Sequence, residues 1–225
     1  MAIALVNPLL FLLQISDSAL PIGAYSHSWG IEAAVQHGRL TSAAQVKTYL
    51  EGMVRYAGVP LDGQACVLAH HYSRQQDVAA WFALQQHLSA SRWASESHQA
   101  SLHLGKRLHS WGEKHWGIPC PHGPEVHHSA VFGWLCAQAG VDLPDTVTAY
   151  LWSMMVAWVT AAVKLVPLGQ SDGQRLLVEF HGQLDALVAD LLTTPVTAGS
   201  LWSFAPLQER DSQQHQFLYS RLFQS

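Results

Sequence analysis

Histidine is the residue type best equipped for chemistry in this chain, and fourteen are present, beside sixteen Asp plus Glu and twelve Lys plus Arg. A neutral imidazole is a general base or a metal ligand near pH 7. His70-His71 and His127-His128 are adjacent pairs, while His98, His103 and His109 recur at spacings of five and six. Only residues three or four apart meet on one helix face, so these three do not stack into a ligand row. The most concentrated group is Cys120-Pro121-His122, with His127 and His128 just beyond it. A thiolate with imidazoles suits nickel or zinc. The spacing matches no established zinc arrangement. The expectation is therefore no ordered metal site, with Cys120, His122, His127 and His128 as the candidate ligands should one exist. The other reading is that histidine simply serves as a favoured neutral polar residue.

Other catalytic signatures are missing. No GxxxxGK[ST] loop cradles a phosphate and no GxGxxG follows a strand pattern. There is no GxSxG elbow, no HExxH and no CxxC. Carboxylates are sparse and mostly isolated, which disfavours paired acid/base work. The sequence predicts no catalytic residue and no resident cofactor. A metal carrier or an all-α metal-dependent enzyme using the histidines stands as the alternative.

Two charged residues stand out by context. Glu32 sits among Ile31, Ala33, Ala34 and Val35, as a solvated or capping carboxylate or as a contact point. Lys164 ends a long uncharged stretch, where a cation complements a helix C-terminus. Arg221, near the end, is a surface charge or a partner anchor.

Charged residues make up only 12% and hydrophobic ones 49%, whereas about 25% charge is usual. A disordered chain is excluded, and part of the surface must be apolar, as for an interface. The net charge is −4 with no basic run, which argues against nucleic acid. Three cysteines without a pairing pattern point to a reduced, cytoplasmic setting. Residues 1–15 are nearly all apolar, yet no Lys or Arg precedes Arg39, so the basic start of a signal peptide is missing. Residues 146–163 carry no charge and reach membrane-spanning length. Bulky residues on one face and Ala149, Ser153, Ala157 and Ala161 on the other suit a core helix packed on both sides, so no membrane span is expected.

These residues need a helical frame to hold them. Apolar positions recur with the 3.6 period almost throughout, and no alternating strand pattern is present. The sequence predicts an all-α, single-domain bundle of roughly eight to ten helices over residues 1–225. Asn7-Pro8 opens a short helix; others cover about 26–37, 90–114, 128–139, 144–165 and 171–192. A helix capped near Thr41 or Ser42 ends around Gly58-Val59-Pro60, and Asp62 and Asp77 cap the next two. Residues 117–125 form a loop. The tail from 196 is weakly structured, with a last helix near 213–222. The N-terminal segment 1–16 and the tail 196–225 are expected to be partner-binding extensions, mobile until a partner orders them.

Three separated segments together resemble the urease accessory protein UreF family. They are Leu20-Pro21-Ile22-Gly23-Ala24-Tyr25-Ser26-His27-Ser28-Trp29-Gly30-Ile31-Glu32, then Val163-Lys164-Leu165-Val166-Pro167-Leu168-Gly169-Gln170 running on to Arg175, and the closing Tyr219-Ser220-Arg221-Leu222-Phe223. The resemblance implies an all-α homodimer without enzymatic activity. It implies a nickel-insertion co-chaperone bridging a UreD/UreH scaffold, which contacts the urease apoprotein, and the GTPase UreG. It assigns Glu32 and Lys164 to a GTPase-facing surface. Gln170 belongs to the second segment. The tail, with Tyr219, Arg221 and Phe223, goes to the scaffold. On this reading Glu32 and Lys164 share one exposed surface.

Overall fold

The computed structural model describes residues 7–224, and these are all-α, without strands. Residues 1–6 of the expected N-terminal extension lie outside them. Asn7 accepts the Leu9 N–H and Pro8 occupies the first turn, so α1 runs Pro8–Ile15. Phe11 and Ile15 face inward, while Leu9, Leu10 and Leu13 are exposed. After a short 3-10 turn, Ala24–Ser26, comes α2, Ile31–Gln36. Ser42 caps α3, Ala43–Met53.

The expected break at Pro60 does not occur. A π-helical stretch, Val54–Gly63, carries the chain past Pro60 directly into α4, Gln64–Gln75. Proline lacks an N–H and collides with the carbonyl four residues back in an α-helix; a wider turn eases the collision. Asp62 is consequently not a cap. It pairs with Arg92 at 2.6 Å, in an almost buried ion pair. Asp77 does cap α5, Val78–Ala90. The predicted helix over 90–114 divides instead, with α6 running Ser95–Trp111 and a π-helical turn, Gly112–Trp116, following.

Next come α7, His128–Gln138, and α8, Leu143–Leu165. The last two are α9, Gln170–Thr193, and α10, Pro206–His215. The middle of the molecule is α7, buried on nearly every side. It packs closest on α4. A Cβ on Gly133 would run into the Cys66 carbonyl, so only glycine allows this approach. Next to them lies α8, with Val147, Tyr150, Leu151, Met155, Trp158 and Val159 turned inward. Among the described residues it is the one helix long and apolar enough to cross a membrane; half of its most apolar window is buried within the protein. One apolar cluster runs from α1 through α9 and takes in Phe223 from the tail.

The last helix lies seven residues upstream of its expected start, for a physical reason. Its inward stripe is polar: Gln208, Asp211, Ser212 and His215 are buried, at i, i+3, i+4 and i+7. Apolar periodicity therefore cannot reveal it. Each buried group is paired. Asp211 accepts from Arg39 and from the Tyr49 hydroxyl (3.0 Å). Gln208 donates to Ser212 Oγ (3.0 Å) and the Trp29 carbonyl (3.3 Å).

Candidate partner-binding site

Gly30, at φ +88°, turns the chain into α2. A side chain there would press on Ser212 of α10 as well as being strained. This turn points Glu32, in the first turn of α2, toward α10 and the tail. Glu32 is 1% exposed. A buried carboxylate must be paired, and this one is paired on both oxygens. Oε1 accepts the Leu222 N–H at 2.7 Å. Oε2 accepts the Phe223 N–H at 3.1 Å and His215 Nε2–H at 2.8 Å. Contact with a carboxylate puts the imidazole proton on Nε2. The expectation that Glu32 is exposed is therefore corrected: it lies beneath the tail.

Two more bonds tie the tail down. Gln36 Nε2 donates to the Ser220 carbonyl (2.9 Å), and the Gln224 N–H donates to the Ser26 carbonyl (2.7 Å). The tail thus forms a strap over α2. The Phe223 ring is buried, and Lys164 Nζ sits 5.7 Å from its centroid, within cation–π range. Lys164 itself is exposed. The structure brings Glu32, Lys164 and Phe223 into one cluster, layered with Glu32 below and Lys164 above. Arg221 and Tyr219 flank it, exposed on the strap, with Leu222 and Phe217 also turned outward. Gln170 opens α9 just past the end of α8 and is exposed, apart from the strap's contacts. Sequence reasoning missed His215, the third partner of Glu32.

The metal candidates separate. His127 is buried between Ser89 and Ser101 (2.9 and 3.0 Å), and burial, aided by Arg92 and His98, lowers its pKa to about 2. His128 lines a partly open cavity of about 350 Å³ with Asp62, Arg92 and Tyr150; burial lowers its pKa to about 4. The Cys120 thiol is buried and its pKa is raised, by burial first and then by Glu113. His122 instead meets His109 and Glu113. The missed signal was His109 and Glu113 four apart at the end of the long helix.

The model of the UreF family matches residues 40–181, from just before α3 to the middle of α9. The chain belongs to the UreF family. Proteins named urease accessory protein UreF align with it over almost their whole length. The one from Nostoc sp. is 30% identical over 220 residues, covering 96% of this chain and 95% of the relative. That of Actinobacillus pleuropneumoniae is 31% identical over 225 residues, covering 95% and 97%. That of Alkalilimnicola ehrlichii is 33% identical over 220 residues, covering 94% and 93%. Of the partner-binding candidates, Lys164 and Gln170 fall within the part matched by the UreF model, whereas Glu32 and the strap precede and follow it.

Proposed function

We propose that this chain is a urease accessory protein acting in the cytoplasm as a nickel-insertion co-chaperone. It bridges a UreD/UreH-type scaffold and a UreG-type GTPase, regulates GTP-dependent assembly of the urease nickel centre, and reaches the urease apoprotein through that complex. It works as a homodimer, each copy a single all-α domain. It supplies contacts, and the reaction chemistry belongs to its partners.

The observation that carries this reading is the strap. Phe217, Tyr219 and Leu222 are large, apolar and exposed, on a segment whose backbone is held by a buried carboxylate. Fixing such a segment in advance lowers the ordering cost of association. Aromatic residues and arginine are the types that most often dominate binding energy, and Tyr219 and Arg221 stand free on the outside. Lys164 supplies an exposed cation beside them. On α1, Leu9, Leu10 and Leu13 form a second exposed apolar face for the scaffold, as proposed for the N-terminal extension.

The test is co-expression with the scaffold and the GTPase from the same source, followed by pull-down without added nickel. The reading expects a scaffold complex that then retains the GTPase. Recovery of the chain alone from both pull-downs would sink it.

A further inference from the structure

The π-helical turn, Gly112–Trp116, and the loop behind it fold the chain back over the end of α6. The loop is held at several points. The Ile118 N–H donates to the Gly112 carbonyl (3.1 Å), and Trp134 Nε1–H donates to the Pro119 carbonyl (3.0 Å). His109 Nε2 lies 3.1 Å from the Cys120 carbonyl. A carbonyl only accepts, so that nitrogen carries the proton. In the neutral ring Nδ1 then presents a bare lone pair. It faces Glu113 Oε2 at 3.7 Å, while Glu113 Oε1 lies 2.8 Å from His122 Nε2. A lone pair this close to a carboxylate oxygen is repelled by it unless a cation or a proton sits between them.

We propose that His109, Glu113 and His122 form a binding site for one borderline divalent transition-metal ion, such as Zn²⁺ or Ni²⁺. One ligand atom from each residue already lies within 4.8 Å of the other two. Two imidazoles and one carboxylate are ligands such ions accept. The Cys120 carbonyl acts behind the site: it fixes the His109 tautomer and ring orientation, as a backbone carbonyl commonly does for a ligating histidine. Cys120 thus contributes its carbonyl, and its buried thiol is not a ligand. His109 is buried and its ring is held by the Cys120 carbonyl, whereas the His122 side chain is 76% exposed and free to close the last ångström onto the ion. That exposure leaves the remaining coordination positions open to water or to a ligand from another molecule. The site stands independently of the bridging role proposed above.

Untagged, chelator-stripped full-length protein is titrated with Zn²⁺ and, separately, Ni²⁺ in competition with a chromophoric chelator. One equivalent per chain is expected. His122→Ala, at an exposed position, and Glu113→Gln should each weaken binding at least tenfold while leaving the helical circular dichroism unchanged. Cys120→Ser and the surface control His87→Ala should bind like the parent. Co²⁺ substitution supplies a second readout: ligand-field bands present in the parent and altered in His122→Ala. The proposal is overturned if both variants bind one equivalent with parental affinity. It is equally overturned if binding disappears with Cys120→Ser alone, or if the protein takes up only several weak equivalents insensitive to all four substitutions.

Discussion

Glu32→Ala is the perturbation whose outcome the structure defines most sharply. The substitution removes an acceptor for two backbone N–H groups and for His215, all three from the C-terminal part of the chain. A hydrogen bond to a charged group contributes about 1.5–3 kcal/mol, and breaking a buried pair costs about 3–5 kcal/mol when the remaining group stays trapped. Here the strap can lift away, and the Leu222 and Phe223 N–H groups then bond to water. What remains lost is the strap's own docking, including burial of Phe223, whose side chain is worth about 1.5–3 kcal/mol, together with a stranded His215. A net loss of about 3 kcal/mol follows, which in a protein of this size lowers Tm by roughly 6–12 °C. The loss is local in origin. Amide exchange resolved by residue should show Leu222, Phe223 and Gln224 losing protection while α4 and α7 keep theirs. Scaffold binding should fall with it. If Glu32→Ala melts within a degree of the parent and the three tail amides stay protected, the carboxylate does not hold the strap.

Three further outcomes are expected. Arg92→Ala leaves Asp62 buried without its partner and should cost about 3–5 kcal/mol in urea denaturation; a loss below one kcal/mol would mean that water screens the pair. Deleting residues 216–225 removes the strap but spares α10, so far-ultraviolet circular dichroism should hardly change while scaffold pull-down fails; normal pull-down would refute the tail assignment. Acid should destabilise the fold early. Burial is the chief cause lowering His127 to about 2 and His27 and His128 to about 4. All three stay neutral in the native state until the pH approaches those values, while the unfolded chain takes up their protons below about pH 6.5. Their contribution is intact above pH 6.5 and falls with pH by about 1.4 kcal/mol per unit for each group. Denaturation midpoints equal at pH 7.5 and 5 would contradict this.

The all-α class and most helices could be read from the sequence because apolar period and caps coincide: Asn7-Pro8, Ser42 and Asp77 start the helices they were expected to start. Three features could not. Pro60 reads as a stop, because the wider turn that accommodates it depends on packing rather than on local propensity. The buried stripe of α10 is polar and was invisible to an apolar template. Glu32 looked exposed because charge normally signals exposure; its partners lie 183 to 191 positions away. The same limit hid the His122 cluster, where only the His109–Glu113 half is local.

Lys164→Ala tests the bridging role most directly. Lys164 is exposed, and its cation–π contact with Phe223 is worth only about 0.5–1 kcal/mol, so the variant should fold and keep its strap. The measurement is size-exclusion chromatography with light scattering on the purified chain, scaffold and GTPase together. The account predicts a complex of all three with the parent, and with Lys164→Ala a scaffold complex from which the GTPase has dropped out. A parent that never assembles with the GTPase, or a variant that retains it in full, would contradict the account.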